Sequence, residues 1–343
     1  MSNPRHKLWA WPWELRRAGI MGVNTRNRDF ISRCNPRRSF PGADDKAVTK
    51  EICTARGIAV PETYAIIERL GDLRKLPELL GTRPAFVVKP ARGSGGRGVL
   101  VIERRRGDVF ETAKGETISP AKLRYHVSAT LSGLYSLGGH WDRAIVEQQI
   151  LPHPVFHDLA VGGTPDIRII VYSGTPVMAM LRLPTRASKG RANLHQGAVA
   201  AGIDLGTGRT FGGVCRARKT EIHPDTGQPL AGVTIPHWKG ALATAANVSQ
   251  ALGMGYVGVD VVVDARQGPV VIEANARPGL AIQIANCTGL RPRLTAVGSQ
   301  RLETARSVRF ACHDRACAQQ EDSAQGVSAG LGGPSPFSRI KPI

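Results

Sequence analysis

Long apolar runs are missing from this sequence. None approaches the ~20 residues a membrane helix requires, so a helical span is excluded. The opening Met1–Arg17 stretch has no apolar segment followed by a small-residue cleavage site, so no secretory signal is expected. Cysteine is scarce and scattered: Cys34, Cys53, Cys215, Cys287, Cys312 and Cys317 are the only six in 343 residues. That spacing is no disulfide framework, and it points to a reduced, cytoplasmic setting. Cys312, His313 and Cys317 cluster, but they have no second ligand pair and read as tail cysteines rather than a zinc site. Acidic residues are also short, 27 against 46 Lys and Arg, which leaves a net charge of +19. Such a charge attracts polyanions such as nucleotides, nucleic acid or acidic peptides.

Hydrophobic residues make up 42% of the chain, enough for a sizeable core, and the length allows two or three domains. The positive charge is densest in residues 1–43, which read as an irregular basic arm with a short helix around Trp13–Ala18. There Trp9, Trp11 and Trp13 alternate. The arm is expected to anchor on the body of its own chain or to meet a protein partner; stacking on bases is the alternative. Helices are predicted over Asp44–Ala55, Leu70–Leu80 (interrupted at Pro77), Pro120–Leu137 and His237–Gly253. Strands are predicted into Ile67 and over Ala85–Lys89, Val99–Glu103, Ala144–Glu147, Ile167–Tyr172, Pro176–Leu183, Tyr256–Asp264 and Pro269–Glu273. Thr185–Gly197 reads as a polar loop. Residues 299–343 have few large apolar side chains and read as a mostly disordered tail.

Gly93, Ser94, Gly95, Gly96 and Gly98 lie between two predicted strands and satisfy G-x-G-x-x-G. A dinucleotide fingerprint requires a helix after the loop, whereas a strand follows here. A Walker loop requires Gly-Lys-Ser/Thr, which is missing. A protein kinase carries its lysine after the loop and needs H-R-D and D-F-G, both absent. The reading that remains is a flap whose backbone N–H groups can meet phosphate. Lys89 would point in from the preceding strand.

Asp260 sits in the apolar strand Tyr256–Asp264, and Glu273 and Asn275 follow after a short turn. Residues two apart on a strand share a face, so Glu273 and Asn275 point the same way and a hairpin brings Asp260 opposite them. Two carboxylates and an amide oxygen make an oxygen cage suited to Mg²⁺.

The order Asp45-Lys46, Lys89, glycine flap, Glu147, Asp166-Ile-Arg168, Asn193, Asp260, Glu273-x-Asn275 resembles the ATP-grasp superfamily. Asp166-Ile-Arg168 with Arg191–Gly197 (RANLHQG) resembles the RimK-type alpha-L-glutamate ligases. Several stretches are closer still to the alpha-L-glutamate ligase-like, sugar-transfer-associated ATP-grasp proteins: Asn35–Arg38 (NPRR), Lys89–Gly96 (KPARGSGG), Leu131–Gly138 (LSGLYSLG), Met180–Arg186 (MLRLPTR) and Asn275–Gln283 (NARPGLAIQ).

The resemblance implies an α+β fold in which two α+β lobes hold ATP between them. Residues 44–146 would form the small lobe with the flap, and 147–298 the C-terminal lobe with the metal site. It implies that Lys46 and Lys89 contact phosphates. Glu147, Gln148, Gln149 and Ile150 would form the hinge that reads adenine through the backbone. Asp166 would lie near the ribose and Arg168 would hold the transferring phosphoryl group. Arg191 and Asn193 would reach the triphosphate. Asp260, Glu273 and Asn275 would hold two Mg²⁺ ions, with Mn²⁺ as a substitute.

Arg168, Lys89 and Asn193 are the expected catalytic residues. The implied chemistry joins a small-molecule or peptide carboxylate to an amine through an acyl phosphate, releasing ADP and phosphate. Glutamate ligases of this type usually have a full α/β domain ahead of the first lysine helix. Only 43 residues precede Asp44, so a complete pre-ATP-grasp domain is not expected. The other readings are an ATP-binding relative that does not ligate and a basic nucleic-acid-binding protein.

Overall fold

The computed structural model describes residues 10–216 and 218–300. Trp9, the Cys312–Cys317 cluster and nearly all of the 299–343 tail lie outside the described residues. Among the described residues no helix is long and apolar enough to cross a membrane. Among the described residues thirteen strands, paired antiparallel throughout, form two sheets. In chain order they are β1 Thr63–Ile67, β2 Phe86–Pro90, β3 Leu100–Arg106, β4 Val109–Thr112, β5 Thr117–Ile118, β6 Ala144–Glu147, β7 Asp166–Tyr172, β8 Thr175–Leu183, β9 Val199–Ile203, β10 Thr210–Cys215, β11 Arg218–Lys219, β12 Tyr256–Asp264 and β13 Gly268–Asn275. The first sheet has the order β1-β6-β2-β3-β4-β5, and the second β11-β10-β9-β8-β7-β12-β13.

Helices α1 (Lys46–Thr54), α2 (Pro120–Leu131) and α3 (Trp238–Leu252) cover these sheets. Leu123, Val127 and Leu131 recur every fourth residue on α2. They form one stripe against Phe86, Val88, Ile102 and Val146 of the six-stranded sheet. On α3, Ala241, Ala245 and Val248 pack against Val257, Val259, Val261 and Val263 of β12. Burying each of these valines contributes roughly 1.5–3 kcal/mol. Because side chains alternate along a strand, filling one face of the seven-stranded sheet with apolar residues turns Asp166, Arg168, Arg182 and Asp260 onto the other.

Three boundaries differ from the sequence reading for identifiable reasons. The Asp44–Ala55 helix breaks at Asp45, whose extended backbone lets its carboxylate accept from Ala47 N (3.0 Å) and cap α1. Pro77 does not interrupt a helix. It sits in the first turn of Leu76–Leu80, where a missing N–H costs nothing. α2 stops at Leu131 rather than running to Leu137, and the glycine-bearing segment that follows turns away.

Residues 20–43 are not a free arm. The Asn35 side chain makes two hydrogen bonds with the Tyr256 backbone, at 2.7 and 2.9 Å. Arg26 donates to Pro278 O, and Met21 exchanges two bonds with the buried Gln283 amide. Trp11 and Trp13 stack at 4.8 Å beside a short helix over Pro12–Arg17.

Candidate functional site

The site forms where three features meet: the glycine flap between β2 and β3, the polar face of β7, β8, β12 and β13, and the loop before β9. The hairpin between β7 and β8 turns at Ser173-Gly174, both with positive φ. That two-residue turn starts the ladder at Tyr172 and Thr175, and a bulge between Ile170 and Val171 then shifts it by one residue so that Asp166 faces Arg182. Asp260 pairs with Arg168 of β7 on one side and Glu273 of β13 on the other. A bulge between Asp260 and Val261 follows, and it lets Glu273 share the face of Asp260 while Val271 keeps to the core.

The charges on this face are tightly paired. Arg168 donates from Nε and Nη2 to the two Asp260 oxygens, at 2.8 and 2.7 Å. Arg182 donates to both Asp166 oxygens at 2.5 Å and to Asp260 Oδ2 at 2.8 Å. Burial penalises the Asp260 carboxylate, but Arg168 and Arg182 outweigh it and hold its pKa down to about 2. Asp166 was expected beside a ribose. With both oxygens taken by Arg182 and its side chain buried, it orients that arginine instead.

Lys46 links the two lobes of the site. Its Nζ donates to Gly93 O at 2.7 Å and lies 3.7 Å from Glu273 Oε1. Asp45, beside it, is buried and pairs with Arg92 Nε (3.0 Å) at the root of the flap and with Arg143 Nη2 (2.9 Å). Asp142 accepts from the Arg92 and Arg143 backbone N–H groups and from the Ser136 hydroxyl, and Gly93 forms a β-bridge with Ser136. At the other end of the flap, His126 Nε2 lies 3.0 Å from Gly98 O, and burial lowers its pKa.

Gly95, Gly96 and Gly98 all have positive φ. The flap tip approaches the 185–197 loop, where Gln196 Nε2 donates to Gly95 O at 3.3 Å. A Cβ on Gly95 would lie 3.3 Å from Asn193 Nδ2, and one on Gly96 would lie 3.3 Å from Arg191 Cγ. Arg191 in turn donates to Gln196 Oε1 (3.1 Å), and Asn193 caps a short turn by accepting from His195 N. Ser94 O accepts from Arg97 N inside the flap.

At the end of β6, the Glu147 carboxylate lies between two lysines. Lys89 Nζ is 2.5 Å from Oε1, and Lys50 Nζ pairs with Oε2. All three side chains are buried. Burial, chiefly, lowers the Lys50 pKa. The expected hinge is thereby narrowed. Glu147 pairs with β1 and β2 on its two sides, and Gln148 N donates to Glu62 O. Among the described residues, the backbone groups of Gln149 and Ile150 have no protein hydrogen-bond partner.

Lys50 and Arg182 were not singled out from the sequence. Lys50 lies four residues after Lys46 and so shares its helix face, a signal that was available. Arg182 lies across the hairpin from Asp166 only because of the bulge between Ile170 and Val171, since the Ser173-Gly174 turn alone would set Leu181 there.

Whether the donor set suits a hard cation turns on its free lone pairs. Asp260 Oδ1 accepts one hydrogen bond, from Arg168, which leaves it a further acceptor site. Among the described residues Glu273 has only its distant approach to Lys46, and Asn275 lies 3.3 Å from Asp260 Oδ2. Oxygen donors of this kind fit Mg²⁺. Among the described residues no group of three or more His, Cys, Asp or Glu side chains could hold a metal. The set here has two carboxylates and relies on an amide for its third donor.

A family model described as sugar-transfer associated ATP-grasp matches residues 25–299. Among curated proteins, the probable alpha-L-glutamate ligase of Xanthomonas oryzae pv. oryzae (strain MAFF 311018) is 26% identical over 268 residues, covering 78% of this chain and 65% of that one. A protein of the same name from Halorhodospira halophila (strain DSM 244 / SL1) is 25% identical and covers 72% and 59%. The chain thus spans less than two thirds of the length of these relatives. Among solved structures, the ATP-grasp ligase PsnB complexed with minimal precursor, Mg and ADP aligns at a TM-score of 0.41 and 13% identity, covering 78% of this chain and 61% of that one. The D-alanine-D-alanine ligase from Coxiella burnetii aligns at 0.41 and 16%, covering 80% and 63%.

Proposed function

We propose that this chain, which belongs to the sugar-transfer associated ATP-grasp family, is an ATP-dependent ligase that joins a carboxylate to an amine and releases ADP and phosphate. The observation that carries this reading is Lys46. One ammonium touches the flap at Gly93 O and faces Glu273 on the oxygen-donor face, so phosphate and metal sites would share one cleft.

In this reading the flap N–H groups of residues 93–98, with Lys46 and Lys89, hold the phosphates by charge-assisted hydrogen bonds. Gln149 and Ile150 offer their free backbone groups to the adenine edge. Arg191 and Asn193 approach the triphosphate from the loop before β9. Arg168 orients the γ-phosphoryl group, kept in place by its bidentate grip on Asp260. Asp260, Glu273 and Asn275 would hold Mg²⁺, which when bound supplies positive charge against the phosphate oxygens. A substrate carboxylate then takes the phosphoryl group, and an amine displaces phosphate to form the amide. The protein's share is positioning and charge neutralisation. The curated relatives' name supports glutamate as a substrate to test first, both as acid and as amine.

The test is an ADP- and phosphate-release screen across candidate acids, each with and without a pool of amines. Release that requires both an acid and an amine is the expected result. Release indifferent to both would sink the ligase reading.

A further inference from the structure

We infer that Lys50 is a positioning residue for nucleotide binding: it keeps the buried Glu147 carboxylate neutralised so that Lys89 can leave it for the incoming phosphates. The inference rests on the proposed function only in taking Lys89 as a phosphate ligand.

Glu147 has one carboxylate and two ammonium partners, both within direct contact and all three buried. Lys89 cannot serve Glu147 and a phosphate equally well. If Lys89 were its only partner, drawing Lys89 toward a nucleotide would strand a buried carboxylate, which is strongly unfavourable. The second lysine removes that cost. Lys50 reaches Glu147 from α1, while Lys89 reaches it from β2, so the two approach from separate elements and one can move while the other stays. Lys50 belongs to the same helix that Asp45 caps and ties to Arg92 at the flap root, which fixes its position relative to the flap. Lys50 thus acts through charge balance, which a purely structural residue would not do. Removing the carboxylate should make Lys50 dispensable.

Calorimetry with Mg·ADP tests this on the full chain, with thermal melting as the check on folding. Lys50→Met should weaken Mg·ADP binding by roughly tenfold or more, and Lys50→Arg should keep it near the parent value. Glu147→Gln alone should bind at least as tightly as the parent, because Lys89 then has no competing anion. The double variant Lys50→Met/Glu147→Gln should return to within about threefold of the parent. A double variant as weak as Lys50→Met overturns the inference, since Lys50 would then act on the nucleotide or on the fold directly. If Lys50→Met does not fold, Glu147→Gln decides alone: binding weaker than the parent overturns it. A parent chain that binds no Mg·ADP overturns the inference together with the nucleotide site. A chain that binds and shows the rescue, yet releases no ADP with any acid, sinks the ligase reading alone.

Discussion

On the polar face of the seven-stranded sheet, two carboxylates meet two guanidiniums: Asp166, Asp260, Arg168 and Arg182. Beside the six-stranded sheet, one carboxylate meets two ammoniums: Glu147, Lys50 and Lys89. The first set balances to zero and every charge has a close partner within it. The second carries a surplus of one positive charge in a buried setting. Burying an unbalanced charge is costly, so a surplus kept there favours whatever anion can reach it. The side chains follow the same division. Arginine supplies the planar fork that grips a carboxylate at two points, and lysine supplies a flexible point charge able to change partners. The neutral cluster thus works as scaffold for Arg168, and the surplus as the part that responds to a ligand.

The comparison breaks first at Arg182. Arg182→Met would leave both Asp166 oxygens buried without their partner and deprive Asp260 of its second. A loss of about 3–5 kcal/mol in folding stability is expected, read by chemical denaturation. A loss under about 1 kcal/mol would mean that the cluster is not a scaffold.

Glu273 lies on the same face but outside the paired set, with its side chain 30% exposed. Glu273→Gln should therefore lower turnover by about a hundredfold or more, some 2.7 kcal/mol, with the melting temperature nearly unchanged. Asp260→Asn should lose turnover and also stability, because two arginines depend on its charge. Equal melting shifts in the two variants would erase the line drawn between scaffold and ligand set. Lys89→Ala probes the surplus itself. Mg·ADP affinity should fall by at least ~1.5 kcal/mol by calorimetry, against no change for the exposed Lys114→Ala. Matching losses would remove the special standing of Lys89.

How much of this was legible varies with the range of the interactions. The flap could be read because its glycines stand between two short apolar runs, and Gly95, Gly96 and Gly98 do take the positive φ that favours glycine. The Asp260–Glu273 pairing could be read from the hairpin, although the bulge that aligns them could not. Strands β9 to β11 carry no such signal. Val199–Ile203 is built of small residues buried on both faces, so it shows no alternation. The burial of Lys50 depends on Glu147, 97 positions away, and the docking of residues 20–43 depends on an Asn35–Tyr256 exchange across 221 positions. Local pattern carries neither. The resemblance places Asp166 near a ribose, and the Asp166-Ile-Arg168 motif that carries it says nothing of Arg182 on the next strand.

The smallest expected effect lies in the flap, which follows the strand that carries Lys89 and must be shaped by its own lobe for the comparison to hold. Gly98 has φ +74, and a Cβ there would lie 2.5 Å from the Tyr135 ring. Its carbonyl faces His126 Nε2, whose ring tilts against Tyr135 at 5.3 Å. Gly107, in the next turn along, has φ +60 and nothing within 4 Å of a Cβ. Alanine at either position carries a similar backbone strain, so subtracting one variant from the other leaves the contact with Tyr135. Tyr135 is only half-buried and its ring can give way in part. Gly98→Ala should accordingly be less stable than Gly107→Ala by roughly 1 kcal/mol, the lower end of overpacking costs. The same displacement should push the flap root off His126, so Gly98→Ala should also raise the KM for ATP while Gly107→Ala leaves it alone. Indistinguishable melts and indistinguishable KM values would show that the flap takes its shape from the glycines alone, with no template in the His126–Tyr135 pair.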